Sequence, residues 1–419
     1  MQVIPPFENP DELQHVGYII HVARHWKLPR VTWPPKGLYD HEGFQPPLYY
    51  AFSALFFRDI PDPVRPPQNP AFRFAPVSPG GGPHRRYQPI TASSPAELRA
   101  IANACTRLRF INLFWGLLAA ICAAALFWRL ANCNPAQAIT ALAIFLLNPR
   151  WIEAAASVSN DVAATATATL TFLLIIHLLN KKEISLAQTI IVGISCAIAV
   201  LSKANNAGLI LIGILVPILK AKKRWWAVAV FLVSSLVPLL PWMLRNHSLY
   251  GDLLAANPAL YQPFVGSRSN PLGWIQFFLN EFQGFRWSYF AVFGQFAVLT
   301  DLFVYPILDL FLLISGIAGA IALFIDVRSK RTKVEQIIVL LPLLWLFVIF
   351  IEFLSYDRTI FASQGRLIYP AAAFIAYFLA AGCMLLTPQK RQKMVAAIIS
   401  AAFTLFAFYV GFSVLPRAY

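Results

Sequence analysis

Long apolar runs separated by short polar connections occupy the chain from about residue 110 to the C-terminus. A membrane-spanning helix needs about 20 mostly apolar residues, and ten runs approach or exceed that length. The predicted spans are 110–131, 137–156, 160–179, 186–202, 204–220, 225–244, 300–326, 335–354, 368–387 and 394–414. The pattern therefore predicts an all-α polytopic membrane protein with about ten transmembrane helices.

Residues 1–105 differ from the rest, because they contain no apolar run long enough to span and hold more than half of the 31 prolines. Within them, 10–27 is predicted to form an amphipathic helix and 46–57 a short interfacial helix. Residues 60–95, with Gly80-Gly81-Gly82, are typical of an irregular loop. We predict an extracytoplasmic loop over 1–105 and a helix bundle over 106–419, with a further outside loop at about 245–299.

Basic residues cluster at 181–182, 220–224, 328–333 and 390–393, on alternate connections between the predicted spans. Cytoplasmic loops of membrane proteins are rich in lysine and arginine, so the other connections and the N-terminal segment are predicted to face outward. An outside N-terminal segment normally follows a signal peptide or a span, and Met1-Gln2-Val3-Ile4 supplies neither. We therefore expect a span ahead of this sequence.

Composition supports the membrane interpretation, since 58% of the residues are hydrophobic and 13% are charged. Soluble domains carry about 25% charged residues. The formal net charge of +15 is explained by the topogenic clusters, so nucleic-acid binding is not indicated. No CxxC pair occurs, which disfavours a disulfide framework or cysteine metal cluster. The scattered cysteines are Cys105, Cys122, Cys133, Cys196 and Cys383.

The densest polar stretch, Glu8 to His15, opens the first predicted helix with the adjacent carboxylates Asp11 and Glu12. A low-dielectric neighbour raises carboxyl pKa values, so an acidic pair at the membrane surface is suited to acid/base catalysis. Acidic residues are also favoured in a first helical turn, where Asp11 or Asn9 would act as a cap. Spacing alone leaves both interpretations open.

A second polar stretch runs from Tyr39 to Tyr50. Gln45, Tyr49 and Tyr50 offer polar groups on a segment that a double proline makes rigid, as expected around a carbohydrate. Anchoring at the membrane interface is the alternative for the tyrosines. His41, flanked by acidic residues, could bind a metal or lie in a solvated turn.

Charged residues at the outward ends of the spans are costly unless they are paired or functional. Asp161 is a candidate of this kind, with helix capping as the alternative. Arginine matches phosphate oxygens with a forked, permanently charged group, although a cation at a span boundary can also serve as an anchor. Two acids within spans are predicted to line a cavity or to pair with a basic residue of another helix. The outward set is Asp161, Lys203, Arg245 and Arg366, and the acids within spans are Asp309 and Glu352.

The order of these motifs resembles the GT-C superfamily of integral membrane glycosyltransferases, which use polyprenyl-phosphate-linked sugars. Protein O-mannosyltransferases and lipid A aminoarabinose transferases are branches of it. The resemblance covers most of the chain as an ordered pattern. It rests on Pro10-Asp11-Glu12 with His15, Gln45-Pro46-Pro47-Leu48-Tyr49-Tyr50, Ser159-Asn160-Asp161, Ser202-Lys203, Arg245-Asn246 with Tyr250-Gly251-Asp252, and Gly365-Arg366.

This resemblance implies sugar transfer from a polyprenyl-phosphate donor to a hydroxyl of a lipid, glycan or protein acceptor, at the outer face of a bacterial plasma (inner) membrane. Asp11 or Glu12 would be the base. No nucleotide is needed, whereas a divalent metal, Mg²⁺ or Mn²⁺, could be held by Asp161. Donor phosphate and sugar would contact His15, Asp161, Lys203, Arg245 and Arg366, and acceptor or sugar would contact Gln45, Tyr49 and Tyr50.

Two other classes share parts of this pattern. A polysaccharide polymerase or ligase has a similar large outside loop and arginines for lipid pyrophosphate, although its largest loop commonly falls later in the chain. A transporter or flippase has about ten spans and buried charges, but its site lies near the bilayer midplane, whereas the polar motifs here are predicted on one face.

Overall fold

The computed structural model describes residues 3–57, 59–72, 84–131 and 134–419. The Gly80-Gly81-Gly82 run and Cys133 lie outside the described residues. The helices are α1 (Glu12–His25), α2 (Leu48–Ala54), α3 (Ala96–Leu130), α4 (Pro135–Leu146), α5 (Pro149–Ala155), α6 (Asn160–Leu179), α7 (Leu186–Ser202), α8 (Gly208–Gly213), α9 (Leu215–Lys220), α10 (Arg224–Leu236), α11 (Leu240–Tyr250), α12 (Trp274–Gln276), α13 (Phe282–Ser288), α14 (Val304–Ser329), α15 (Lys333–Asp357), α16 (Ala372–Leu385), α17 (Gln392–Tyr409) and α18 (Leu415–Ala418).

The chain is an integral membrane protein by the length and composition of its helices. In the described ranges, seven helices are long and apolar enough to span, or eight if α4 and α5 count as one broken span. The predicted number of ten is therefore not confirmed, because 186–202 and 204–220 form shorter apolar helices. The seven are Ala96–Leu130, Asn160–Leu179, Arg224–Tyr250, Val304–Ser329, Lys333–Asp357, Gly365–Leu385 and Gln389–Ala418.

The predicted span 137–156 is two helices that meet at an angle of 62°. Pro149 has no backbone N–H, so it cannot continue α4 but is well placed in the first turn of a helix. The Asn148 side chain accepts a hydrogen bond at 3.0 Å from the Arg150 backbone N–H and so caps α5. Local sequence therefore places the bend.

The centre of the bundle is formed by α6 and by the segment Gly365–Leu385, each 78% buried over its most apolar stretch. The first half of α6 alternates alanine and threonine, and such small side chains allow neighbouring helices to approach closely. Thr165 and Thr169 donate hydrogen bonds to carbonyls four residues earlier, at 2.8 and 2.7 Å, which satisfies their buried hydroxyls. Helices α3 and α7 and the 3₁₀ segment Gly365–Ala371 pack around α6.

The N-terminal segment covers one end of this bundle. The predicted helix over 10–27 is observed as α1, and the predicted interfacial helix over 46–57 as the shorter α2. A 3₁₀ turn, Asp40–Phe44, lies between them. The alternative interpretation, that Tyr49 and Tyr50 anchor the segment at the membrane interface, is wrong, because both side chains are fully buried.

The predicted outside loop at about 245–299 is more structured than a loop. It holds the end of α11, the short helices α12 and α13, and an antiparallel hairpin of β1 (Val292–Phe293) and β2 (Val298–Leu299). Val292 pairs with Leu299, and Phe293 pairs with Val298.

Candidate active site

Three helix ends bring a carboxylate and two cations together. Asp161 lies in the first turn of α6, Lys203 directly follows α7, and Arg366 lies in the 3₁₀ segment before α16. The Lys203 ammonium contacts one oxygen of Asp161, and the Arg366 guanidinium donates to the other at 3.1 Å. Asp161 is buried, and a buried carboxylate is stable only with such partners. It does not cap α6, because Ser159 accepts the hydrogen bond from the Asp161 N–H.

Asp11 joins this cluster from the extramembrane side. Its Oδ2 accepts a hydrogen bond from Arg366, and its Oδ1 lies 3.8 Å from Nε2 of His41. Although Asp11 occupies the N-cap position of α1, its backbone is left-handed (φ 57°) and its side chain makes no cap hydrogen bond. Burial alone would raise its carboxyl pKa, but the charges of Arg366 and His41 hold that pKa well below its ordinary value. Asp11 is therefore ionised, and its side chain is 24% exposed. The raised carboxyl pKa expected for an acidic pair at the membrane surface is not observed at Asp11.

Glu12 points the other way, into the bundle, where it is fully buried. Arg109 of α3 donates hydrogen bonds of 2.8 and 2.7 Å to its two oxygens. The backbone N–H groups of Phe7 and Val158 donate to the same carboxylate, each at 2.9 Å. Burial opposes its charge, but the guanidinium and these hydrogen bonds lower the pKa of Glu12. Because both of its oxygens are engaged in these contacts, Glu12 stabilises the packing of α1 against α3. Its partner, Arg109, is not predicted from the sequence.

A network of hydrogen bonds among buried side chains positions the residue that faces Asp11. Nδ1 of His15 lies 2.9 Å from the Tyr50 hydroxyl, which donates to Glu42 at 3.2 Å. The other Glu42 oxygen lies 3.2 Å from Nε2 of His41. Burial lowers the pKa of His15. Burial also opposes the charge of His41, but the hydrogen bond to Glu42 and the negative charges of Glu42, Asp11 and Asp40 together raise the pKa of His41. This network fixes the ring of His41 beside Asp11.

The remaining predicted contact residues support the site at its edges. The Gln45 side-chain oxygen accepts a hydrogen bond from Asn160 at 3.4 Å, beside Asp161. Tyr49 and Tyr50 are buried packing residues, so they offer no surface to an acceptor. Arg245 donates to the carbonyls of Leu28 and Pro29, at 3.2 and 2.6 Å, and thereby holds the turn that follows α1. The four residues take positioning roles here.

The two acids predicted within spans have different environments. Asp309 forms an ion pair with Arg286 of α13, the second of the two predicted alternatives. Glu352 is half-buried in α15, and its Oε2 has no hydrogen-bond partner among the described residues.

One group in the described part of the chain has the donors for a divalent metal. Asp11, His41 and Glu42 each offer one ligand atom, and these atoms lie within 4.8 Å of one another. Asp161, the predicted ligand, is not in the group, because its two oxygens face Lys203 and Arg366. A histidine with two carboxylates suits Mn²⁺ better than Mg²⁺, which prefers oxygen ligands alone.

Gly365 sets the position of Arg366. A Cβ at this glycine would overlap the backbone of Tyr289, so only glycine allows the two segments to approach this closely. The Gly365 N–H also donates to the Ser288 hydroxyl at 2.8 Å. The Arg366 side chain is then oriented by Gln364, which accepts from its Nε at 2.9 Å.

The architecture and the charge cluster at one end of the spans define a polytopic helical membrane protein. The chain is similar to ArnT from Cupriavidus metallidurans bound to undecaprenyl phosphate, with a TM-score of 0.52 and 14% identity over 97% of this chain. The same protein in the apo state gives a TM-score of 0.51 and 14% identity over 96%. At 14% identity the likeness concerns the fold, and for the fold the predicted resemblance is confirmed.

This chain spans 62% and 60% of the lengths of those two structures. No protein-family model and no curated protein matches its sequence.

Proposed function

We propose that the protein is a glycosyltransferase that moves a sugar from a polyprenyl-phosphate donor to an acceptor hydroxyl at the outer face of the membrane. The observation that carries this proposal is the contact of a partly exposed carboxylate, Asp11, with Arg366, which shares Asp161 with Lys203. A base and two phosphate-binding cations thus lie side by side. The likeness to an ArnT bound to undecaprenyl phosphate supports the donor class.

The chemistry follows from these groups. The acceptor oxygen attacks the anomeric carbon of the donor sugar while its proton passes to Asp11. The bond between that carbon and the phosphate oxygen breaks, and polyprenyl phosphate leaves with the electron pair. Lys203 and Arg366 stabilise the negative charge on the leaving group. Asp161 keeps both cations in place before the donor arrives.

The position of the charges favours this function over the alternatives. Asp161, Lys203 and Arg366 lie at helix ends, whereas a transporter site is expected near the bilayer midplane on broken helices. A polymerase or ligase would release a lipid pyrophosphate, and a flippase would leave its lipid intact. The lipid product therefore separates the three classes.

The test is incubation of the purified protein in liposomes with a panel of polyprenyl-phosphate sugars labelled in the sugar. We expect lipid monophosphate release with transfer of the label for at least one donor. Lys203→Ala should raise the donor KM about 10- to 100-fold, since a charge-assisted hydrogen bond contributes about 1.5–3 kcal/mol. Lys222→Ala, at an exposed surface ion pair, is the matched control. Pyrophosphate release, or no consumption of any donor, would contradict the proposal.

We also propose that Asp11, His41 and Glu42 can hold one Mn²⁺. Such an ion would polarise an acceptor oxygen as a Lewis acid. Titration followed by electron paramagnetic resonance should show one bound Mn²⁺ per chain. His41→Gln should weaken binding at least about 10- to 100-fold, because changes to the outer-shell partners of a metal ligand alone cost that much. His25→Gln, on the exposed end of α1, should bind as the wild type does, and equal binding by the His41 variant would refute the site.

A further inference from the structure

A cavity of about 380 Å³ opens on the extramembrane part of the protein, and its lining includes no residue of the cationic cluster, defined as Lys203 and Arg366 around Asp161. It lies between the turn that follows α1, the segment around Pro63, and the loop between α11 and α12. The lining is more polar than apolar, so a ligand that fits it needs hydrogen-bonding groups beside an apolar face. The lining residues that matter below are Trp33, Lys36, Asp40, Arg65 and Phe264.

One wall of this cavity is aromatic. Trp33 is 64% exposed, and its ring meets that of Phe264 edge to face, with centroids 5.4 Å apart. An exposed indole is a large apolar surface with one polar edge, and it suits ligands that are apolar on one face and polar at the rim. A sugar ring has this character, because its C–H groups form a face and its hydroxyls form the edge.

The lining also carries charged groups. Arg65 donates to one oxygen of Asp40 at 2.8 Å, and Gln14 approaches the other oxygen at 3.4 Å. Exposed Lys36 adds an ammonium group. The ammonium and the guanidinium can donate hydrogen bonds to the hydroxyls of a sugar, while Asp40, which already accepts from Arg65 and Gln14, orients the guanidinium.

The cavity connects to the proposed base through one short turn. Asp40 begins the 3₁₀ turn whose next residue, His41, faces Oδ1 of Asp11. The other oxygen of Asp11 faces Arg366 and the cationic cluster. Asp11 therefore lies between the cations that would bind the donor phosphate and the segment that lines the cavity.

We propose that this cavity binds a sugar unit of the acceptor, which makes the acceptor a glycan or a glycolipid headgroup. The inference rests on the proposed function, and it assigns Trp33 a specificity role. The donor approaches Asp11 from the side of Arg366 and Lys203, and the acceptor glycan approaches from the side of Asp40.

The binding test uses maltotriose, chitotriose and a serine- and threonine-rich peptide with the full-length protein in detergent, followed by saturation-transfer NMR. At least one saccharide should give signals, and Trp33→Ala should weaken its binding about tenfold, the effect of about 1.4 kcal/mol of aromatic contact. Trp225→Ala, at a 77% exposed tryptophan of α10, is the control and should bind normally. Binding of the peptide alone, or equal loss in both variants, would overturn the inference.

A kinetic test separates this inference from the proposed function. In Trp33→Ala and Arg65→Met, the acceptor KM should rise while hydrolysis of the donor by water stays at the wild-type rate. An unchanged acceptor KM in both variants, with the donor consumed, overturns the cavity assignment alone. If the wild type consumes no donor, the proposed function fails, and the NMR result then decides separately whether the cavity binds saccharides.

Discussion

Replacement of Asp11 by Asn should lower kcat for sugar transfer about 10²- to 10⁴-fold, the usual contribution of a general base. Asparagine keeps the size of the side chain and tolerates the left-handed backbone (φ 57°) observed at this residue. It removes the charge that accepts the proton, while Arg366 keeps its second partner, Asp161. The rate of polyprenyl phosphate release by the purified variant, compared with that of the wild type at saturating donor, measures the effect.

Asp62→Asn is the matched control, because Asp62 is exposed and pairs with Arg24, which is not a member of the cationic cluster. A catalytic role predicts a loss in kcat with the donor KM unchanged, together with partial recovery in Asp11→Glu. A variant that retains clearly more than about 1% of the wild-type kcat would refute Asp11 as the base, since a positioned base typically contributes about 10² or more. A rise in donor KM alone would instead assign Asp11 to the support of Arg366.

The convergence of Asp161, Lys203 and Arg366 could be predicted from the sequence. Basic clusters mark alternate connections, so the remaining helix ends share one side of the bundle. Polar residues at those helix ends are then expected to contact one another. The bend is also encoded locally, because Asn148-Pro149 is a helix-start signal. Hydropathy alone predicts one continuous span there.

The different roles of Asp11 and Glu12 could not be predicted, although the two residues are adjacent. A left-handed conformation at Asp11 costs about 1–2 kcal/mol, and only tertiary contacts decide whether a chain adopts it. Once it is adopted, the Asp11 side chain turns towards Arg366 and that of Glu12 turns towards Arg109. These partners lie about 355 and 97 residues away along the chain, which no local pattern reports.

Breaking the buried ion pair of Glu12 and Arg109 should be costly. Each single variant, Glu12→Gln and Arg109→Met, should lower the free energy of unfolding by about 3–5 kcal/mol, because it leaves a buried charge without its counter-ion. The double variant should lose less than the sum of the two, with a coupling of about 0.5–3 kcal/mol. Denaturant unfolding in detergent, followed by circular dichroism, measures all four proteins.

Arg109→Lys tests the forked geometry separately from the charge. Lysine keeps the cation but cannot bind both oxygens of Glu12 and the carbonyls of Ile4 and Pro5 at once, so its stability should fall between wild type and Arg109→Met. The same variants decide between structure and catalysis for Glu12. If Glu12→Gln unfolds like the wild type but transfers no sugar, Glu12 is the base and the structural assignment is wrong. If it loses stability while the folded fraction keeps its turnover, Asp11 remains the only carboxylate of the pair that can accept the proton.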